Sequence, residues 1–320
     1  RLHCLDMVSI RGASPDSDRD AGRPGGPLTV TAARARGRML FFGPAIVAAI
    51  AYVDPGNFAT NFSAGAEFGY LLLWVIIGAN LLAMLIQTLS AKLGLATGRS
   101  LPELCRDRFP RPVSRGMWVQ AEFVAIATDL AEVIGGAIAL NLLFGIPLFT
   151  GGVITGIVAF ALLALQSRGF RPFERAIAGL FFVILLGFLS TVVRIEIVPA
   201  DAVAGLVPRF DGTDSLLLAT GIIGATVMPH VVYLHSALTQ TRIRADTAQD
   251  RKFLLRRQQT DVVVGMGLAG LVNAAMLVIA ATLFFGTDIP DTDTLDGAYA
   301  GLARVLDQPA AFAFAIALLA

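Results

Sequence analysis

An apolar stretch early in the sequence is interrupted by four residues that a continuous membrane helix does not accommodate. Residues 43–53 are almost entirely apolar, and Asp54-Pro55-Gly56-Asn57 follows them directly. Pro55 removes a backbone donor and its ring clashes with the preceding turn, while Gly56 tolerates non-helical dihedral angles. The helix must therefore break or kink sharply at this point. A simple proline kink is the alternative interpretation, although a kink needs neither the Asp nor the Asn.

The composition places this break inside a membrane protein. Of the 320 residues, 55% are hydrophobic and only 15% are charged, which is too apolar for an ordinary soluble domain. The net charge of +1 makes nucleic acid an unsuitable partner. The two cysteines, Cys4 and Cys105, cannot form a disulfide framework or a metal-ligand cluster at their spacing, and we assign them no role.

Apolar runs of the required length recur along the chain, because a hydrocarbon core about 30 Å thick needs roughly 20 apolar residues of helix. We predict seven spans, near 41–66, 70–91, 117–144, 149–166, 174–194, 215–240 and 260–286. An eighth begins after Pro309 and is cut off at Ala320, about half-way across. Residues 1–38, rich in Arg, Asp, Pro and Gly, predict a disordered tail. Residues 39–320 then form the transmembrane domain, with seven spans and a partial eighth.

The basic residues indicate the orientation of these spans. Short cytoplasmic segments retain Lys and Arg, and 22 of the 25 basic residues fall in the N-terminal tail or after spans two, four and six. The other side has only Arg194, Arg209 and Arg304. We therefore expect a multi-pass protein of the cell (plasma or inner) membrane with a cytoplasmic N-terminus. A seven-span receptor normally has the opposite orientation.

The sixth span carries a second break. Pro229 frees upstream carbonyl groups, including that of Ala225, and Met228 offers a thioether in the same turn. Breaks in spans one and six are typical of transporters built from inverted repeats, which bind their substrate between discontinuous helices at the membrane midplane. The sequence thus predicts an all-α polytopic membrane protein with a leucine-transporter-type inverted-repeat fold, truncated in span eight.

The residues at the two breaks predict a cation site. The Asp54 carboxylate, the Asn57 amide oxygen and the freed carbonyl of Ala225 are oxygen donors, and a half-helix C-terminus adds partial negative charge. Oxygens alone would suit Na⁺, Mg²⁺ or Ca²⁺. The Met228 thioether adds a soft donor, which favours Mn²⁺, Fe²⁺ and later transition metals. A lipid-facing or packing role is the alternative for Met228.

Further ionisable residues lie inside spans, where a charge costs ~2.5–3.5 kcal/mol on insertion scales. In span three, Asp129 and Glu132 are three residues apart on one helical face, and Glu122 lies seven residues before Asp129 on nearly the same face. Such a column suits a proton relay. His230 and His235 in span six titrate near neutral pH, although their spacing does not align them. Each of these residues could instead be a paired structural residue on an inward face.

Two motifs together resemble a known family. Asp54-Pro55-Gly56-Asn57 in span one and Ala225-Thr226-Val227-Met228-Pro229-His230 in span six resemble the signature pair of the Nramp family of divalent-metal transporters. Supporting stretches are Gln87 to Gly98, Thr128 to Glu132 and Tyr233 to Ser236, and the likeness runs from about Arg38 to Phe285.

The resemblance implies a proton-coupled symporter that imports Mn²⁺ or Fe²⁺ into the cytoplasm. It implies that Asp54, Asn57, Ala225 and Met228 bind the metal. It also implies that Asp54 and His230 take part in proton coupling, that Asp129 and Glu132 form the proton's exit route, and that His235 assists. We expect no resident cofactor, since the metal is cargo and H⁺ is the coupling ion.

Other functions remain as alternatives. The same fold could carry Mg²⁺, Na⁺ or an organic solute, an interpretation against which Met228 argues. A membrane scaffold or receptor is a further alternative. No nucleophile-and-base pair or paired catalytic Asp motif supports an enzyme, so we predict that the chain is not one. Divalent metal ions, protons and the lipid bilayer are the expected partners, and we infer no obligate protein partner.

Overall fold

The computed structural model describes residues 28–29, 48–166, 170–240, 243–244 and 247–319. Twelve helices follow one another in this described part: α1 (Pro55–Phe68), α2 (Leu73–Thr97), α3 (Leu101–Arg108), α4 (Arg111–Phe144), α5 (Leu148–Gln166), α6 (Phe170–Val192), α7 (Pro199–Ala204), α8 (Gly212–Thr226), α9 (Pro229–Gln240), α10 (Ala248–Leu283), α11 (Leu295–Val305) and α12 (Gln308–Leu319). Two short strands, β1 (Leu28–Thr29) and β2 (Ile243–Arg244), pair in parallel. The predicted tail, residues 1–38, otherwise lies outside the described residues.

The apolar helices agree with the predicted spans, with some shifts at their ends. Within the described residues, four stretches are long and apolar enough to cross a membrane: α2, α4, Gly212–Thr239 and α10. Shorter apolar segments are Leu148–Ala164, Ala176–Val192 and Gln308–Leu319. Helix α4 begins six residues before the predicted span and α10 twelve residues before it, because their polar first turns continue the helix beyond the apolar run. The short helices α3, α7 and α11 were not predicted.

The predicted break in the first span is present. Residues 48–50 are helical, residues 51–54 are not, and α1 begins at Pro55. Asp54 caps this second helix, because its Oδ1 accepts a hydrogen bond from the backbone N–H of Asn57 at 2.8 Å. A proline at the first position of a helix loses no hydrogen bond, since that N–H has no partner within the helix. The sequence therefore ends one helix and starts another at the same four residues.

The sixth span is broken in the same way. Helix α8 ends at Thr226, α9 begins at Pro229, and only Val227 and Met228 lie between them. In a continuous helix the carbonyl of Ala225 would accept a hydrogen bond from the N–H of residue 229. Pro229 has no N–H, so this carbonyl oxygen is free to bind another group.

The second half of each broken span is anchored to a continuous helix. Helix α10 packs along α1 and α2, and the Asn61 amide of α1 donates to Asn273 Oδ1 of α10 at 3.1 Å. Helix α9 packs on α2, where the Ser90 hydroxyl donates to the Val232 carbonyl at 2.6 Å. Gly94 of α2 lies so close to the carbonyl of Ser236 that a Cβ there would overlap it. These contacts fix where the two breaks lie relative to each other.

Aromatic rings fill the space between α1, α6 and α12. Phe58 packs edge to face on Phe188 with ring centroids 5.3 Å apart, and Phe62 packs edge to face on Phe314 at 5.0 Å. Edge-to-face pairs add ~0.5–1.5 kcal/mol to the effect of burial alone. The face of α1 that carries Phe58 and Phe62 is therefore held in an apolar cluster, while the first turn of α1 carries the polar residues of the break.

Candidate metal site

The two breaks face each other, and the side chain of Asn57 connects them. Its amide nitrogen lies 2.6 Å from Asp54 Oδ1 and 3.1 Å from the carbonyl oxygen of Ala225. Two of the four predicted metal-binding residues, Asp54 and Ala225, thus lie within hydrogen-bond distance of a third, Asn57, although Ala225 comes from a different helix. This agrees with the prediction that both breaks contribute to one site. The roles of these residues as metal ligands remain a prediction.

Gly56 leaves the space that this arrangement needs. A Cβ at position 56 would lie 3.2 Å from Asp54 Oδ2 and 3.7 Å from the Ala225 side chain. Asn57 is fully buried and Asp54 is partly buried. A larger residue at position 56 would push against the carboxylate and against the end of α8.

Met228 is the fourth predicted ligand and lies in the two-residue link between α8 and α9. Its side chain is buried and belongs to the same apolar cluster as Val53, the residue before Asp54. The lipid-facing alternative is therefore wrong, because the side chain is turned into the protein. A packing role and a ligand role both fit this burial.

The donor set fits a divalent transition metal. Among the described residues no three His, Cys, Asp or Glu side chains cluster in a way that could hold a metal ion. A site here must therefore use one carboxylate together with neutral donors. The Asp54 carboxylate, the Ala225 carbonyl, the Asn57 amide and a thioether provide one negative charge, hard oxygen donors and one soft donor.

The two histidines of the sixth span have different surroundings. His230 follows Pro229 in the first turn of α9, and its buried Nδ1 makes no hydrogen bond to the described residues. His235 is fully buried, with Nδ1 2.8 Å from Gln87 Oε1 and Nε2 3.1 Å from the Gln258 amide nitrogen. Because an amide nitrogen can only donate, Nε2 of His235 accepts and Nδ1 carries a proton. A neutral His235 satisfies this network, and its role in the proton pathway stays a prediction.

The same network reaches the first break through residues to which the sequence analysis assigned no role. Gln87 Nε2 donates to the Tyr52 hydroxyl at 2.7 Å, and Asn273 Nδ2 donates to the Tyr52 carbonyl at 2.8 Å. Gln87 and Asn273 are both buried polar residues inside apolar spans. Their polarity at membrane depth was the signal that could have identified them.

The acidic column of α4 passes close to the first break. Gly135 of α4 abuts the ring of Pro55 so closely that a Cβ at position 135 would overlap it. Glu132 lies one helical turn before Gly135, and Asp129 lies one turn before Glu132. Both acids are exposed among the described residues. The fold therefore places the column beside the site, whereas a proton-relay role remains a prediction.

Glu122 lies nearer the start of α4 than Asp129 and Glu132 do, and therefore farther from the break. It lines a cleft of about 660 Å³ and accepts a hydrogen bond from Trp118 Nε1 at 2.9 Å. The cleft is formed by α3, the first turns of α4, and Tyr233 of α9. At its edge, hydrogen bonds from Ser100 hold the pKa of Glu103 below its usual range. The fold therefore separates Glu122 from Pro55, in contrast to the other two acids of the column, Asp129 and Glu132.

Comparison with known proteins identifies relatives of the whole described domain. Residues 45–320 match the family described as natural resistance-associated macrophage protein-like, or Nramp. The divalent metal cation transporter MntH of Deinococcus radiodurans is 53% identical over 308 residues, which are 96% of this chain and 70% of the relative. The divalent metal cation transporter MntH of Mycobacterium tuberculosis is 54% identical over 280 residues, 87% of this chain and 65% of the relative.

Solved structures show the same architecture. The manganese transporter of Eremococcus coleocola, in complex with an aromatic bis-isothiourea substituted compound, superimposes with a TM-score of 0.80 at 34% identity. The match covers 92% of this chain and 64% of that transporter, so this chain spans about two thirds of its relatives' length. The predicted leucine-transporter-type fold is confirmed, and so is the prediction that the chain is not an enzyme. The chain belongs to the Nramp family.

Proposed function

We propose that this protein imports a divalent transition metal, Mn²⁺ or Fe²⁺, into the cytoplasm together with protons. One observation carries the proposal. The Asn57 amide nitrogen lies within 3.1 Å of both Asp54 Oδ1 and the Ala225 carbonyl oxygen, at the point where two discontinuous membrane helices face each other. A carboxylate in this position is expensive without a cation or a proton, so its presence at the junction supports an ion-binding role.

The metal selectivity follows from the ligand set. Asp54 supplies the charge that attracts a cation, while the Ala225 carbonyl and the Asn57 amide oxygen complete a hard-donor group. Met228 adds the soft donor that distinguishes Mn²⁺ and Fe²⁺ from Mg²⁺ and Ca²⁺. The names of the relatives, divalent metal cation transporters and a manganese transporter, support this assignment.

Proton coupling is proposed through groups next to the metal site. Asp54 binds either the cation or a proton, so the binding of the two ions is linked at one carboxylate. His230 lies at the start of α9 with Nδ1 unpaired among the described residues, so it has a site for proton exchange. Asp129 and Glu132 on α4 continue the route away from the break, because Gly135 holds that helix against Pro55.

The distribution of basic residues supports the proposed orientation of the protein in the membrane. We propose that the side carrying 22 of the 25 Lys and Arg residues is the cytoplasmic side, so that the N-terminus lies in the cytoplasm and the protein lies in the cell membrane. Metal released toward this side enters the cell. We propose no resident cofactor and no obligate protein partner.

The test is metal-binding calorimetry on the intact protein with Mn²⁺, Fe²⁺, Mg²⁺ and Ca²⁺. We expect tight binding of Mn²⁺ and Fe²⁺ and weak or absent binding of Mg²⁺ and Ca²⁺. Equal affinity for Mn²⁺ and Mg²⁺ would favour the alternative of the same fold with a hard-ion cargo. No binding of any of the four ions would overturn the proposal and leave an organic solute or a scaffold role.

A further inference from the structure

Thr226, the last residue of α8, connects the end of that helix to Asn57. Its side chain is buried, with Oγ1 2.7 Å from the Ile222 carbonyl oxygen and 3.1 Å from Asn57 Oδ1. Both of these neighbours are acceptors. A hydroxyl group has one proton, so it can donate to only one of them at a time. In the orientation seen in the structure, Thr226 Oγ1 therefore faces two acceptor oxygens and can donate a hydrogen bond to only one of them.

The nitrogen of the Asn57 amide, in contrast, has a suitable partner in both of its contacts. Its nitrogen faces Asp54 Oδ1 and the Ala225 carbonyl, and both contacts join a donor to an acceptor. A metal ion, however, binds oxygen and not an amide nitrogen. For Asn57 to bind a cation held by Asp54 and Ala225, the amide must reverse about its Cβ–Cγ bond, so that Oδ1 takes the position of Nδ2.

Reversal of the amide completes the hydrogen bonds of Thr226. The Asn57 nitrogen would then face Oγ1 and donate to it, while the hydroxyl donates to Ile222. Both contacts of Oγ1 are then satisfied with its single proton. The contacts of the Asn57 amide with Asp54 and Ala225 therefore favour the amide orientation seen in the structure. The contacts of Thr226 favour the reversed amide.

We propose that Thr226 is a positioning residue that holds the Asn57 amide in its cation-binding orientation. The inference rests on the proposed function, because it assumes that Asp54, Asn57 and Ala225 bind a metal. Thr226 does not touch the metal. It acts by accepting a hydrogen bond from the amide nitrogen that is turned away from the ion, as outer partners of metal ligands do.

Substitution of Thr226 by valine tests this role, because valine keeps the shape and removes the hydroxyl. We expect Thr226→Val to weaken Mn²⁺ binding by about tenfold, as measured by calorimetry on the intact protein. Loss of a hydrogen-bond partner of a metal ligand typically weakens metal binding by about 10- to 100-fold, and this expectation is at the lower end of that range. Thr226→Ser keeps the hydroxyl and should bind Mn²⁺ within about twofold of the wild type, given its retained hydrogen bond. Thr226→Ala serves as a second hydroxyl-free variant if valine impairs folding.

Thr220→Val is the matched control. Thr220 lies in the same helix, and its hydroxyl donates to the Leu217 carbonyl at 2.7 Å without a contact to Asn57. We expect unchanged Mn²⁺ affinity in this variant. In proteoliposomes, Thr226→Val should raise the KM for Mn²⁺ and leave the maximal rate nearly unchanged, since the lost contact acts on the affinity for the ion. The unfolding temperature, measured without added metal, reports any general damage.

The outcomes separate this inference from the proposed function. Wild-type affinity in Thr226→Val, or an equal loss in Thr226→Ser, would overturn the role of Thr226 while Mn²⁺ binding by the wild type still supports the metal site. A wild-type protein that binds no Mn²⁺, or an Asp54→Ala variant that binds it as well as the wild type, would instead overturn the proposed function.

Discussion

Asn57 and Ala225 are 168 residues apart in the chain, yet the Asn57 amide nitrogen lies 3.1 Å from the Ala225 carbonyl oxygen. The carbonyl is free because Pro229 has no N–H to complete the helix, and Asn57 is in place because Pro55 starts a new helix directly after Asp54. Two local helix breaks therefore become one polar site when α1 and α8 pack against each other.

Asp54→Ala should abolish Mn²⁺ binding and metal-driven proton uptake together. The substitution removes the only carboxylate among the four predicted ligands and leaves neutral donors, which bind a divalent cation weakly. Binding is measured by calorimetry, and uptake is measured in proteoliposomes with a pH-sensitive dye. Asp214→Ala, an exposed acid in the first turn of α8, is the control and should bind Mn²⁺ normally. Mn²⁺ uptake that persists in Asp54→Ala would contradict the assignment.

Met228→Ala should reduce the preference for Mn²⁺ over Ca²⁺ rather than binding as a whole. We expect the ratio of the two affinities to fall by about tenfold, which corresponds to ~1.4 kcal/mol. Met266→Ala is the control, since Met266 is fully buried in α10. That variant should lose ~2–5 kcal/mol of stability through its cavity and keep the wild-type ratio. An unchanged ratio in Met228→Ala would mean that the thioether only packs.

Gly135→Ala should destabilise the protein, because the added Cβ would overlap the Pro55 ring. We expect a loss of ~1–3 kcal/mol, the usual cost of an extra carbon in a packed contact. The measurement is the thermal unfolding midpoint in detergent. In the same helix, an added Cβ on Gly116 meets no described atom within 4 Å, so Gly116→Ala should gain ~0.5–1 kcal/mol from helix propensity. Equal midpoints for the two variants would contradict the close contact of α4 with α1.

Asp129→Asn and Glu132→Gln should slow proton uptake and spare metal binding. Each substitution keeps the size of the side chain and removes a group that can carry a proton. We expect metal-driven proton uptake to fall roughly a hundredfold, the scale of a lost proton-transfer group. The Mn²⁺ affinity, measured by calorimetry, should remain at the wild-type value, because neither residue lies among the four predicted ligands. Normal proton uptake in both variants would restrict the two acids to a structural role.

The sequence alone was sufficient for the features that depend on neighbouring residues. Pro55 and Pro229 break their helices wherever those helices pack, since a missing N–H is a local property. The apolar runs likewise predicted the spans, because the length of a membrane helix depends on bilayer thickness. Helices too short to cross a membrane, such as α3 and α11, have no such requirement, and the sequence analysis missed them.

Only the tertiary structure decided which polar atoms meet. The contact between Thr226 and Asn57, the abutment of Gly135 on Pro55, and the network around His235 each join residues from different helices. Their positions depend on how α1, α2, α4, α8, α9 and α10 pack, and this packing is set by contacts between residues distant in the chain. The sequence therefore determined that Asp54 stands at a helix break. The fold determined that the Asn57 amide, with Thr226 behind it, meets the Ala225 carbonyl of another helix.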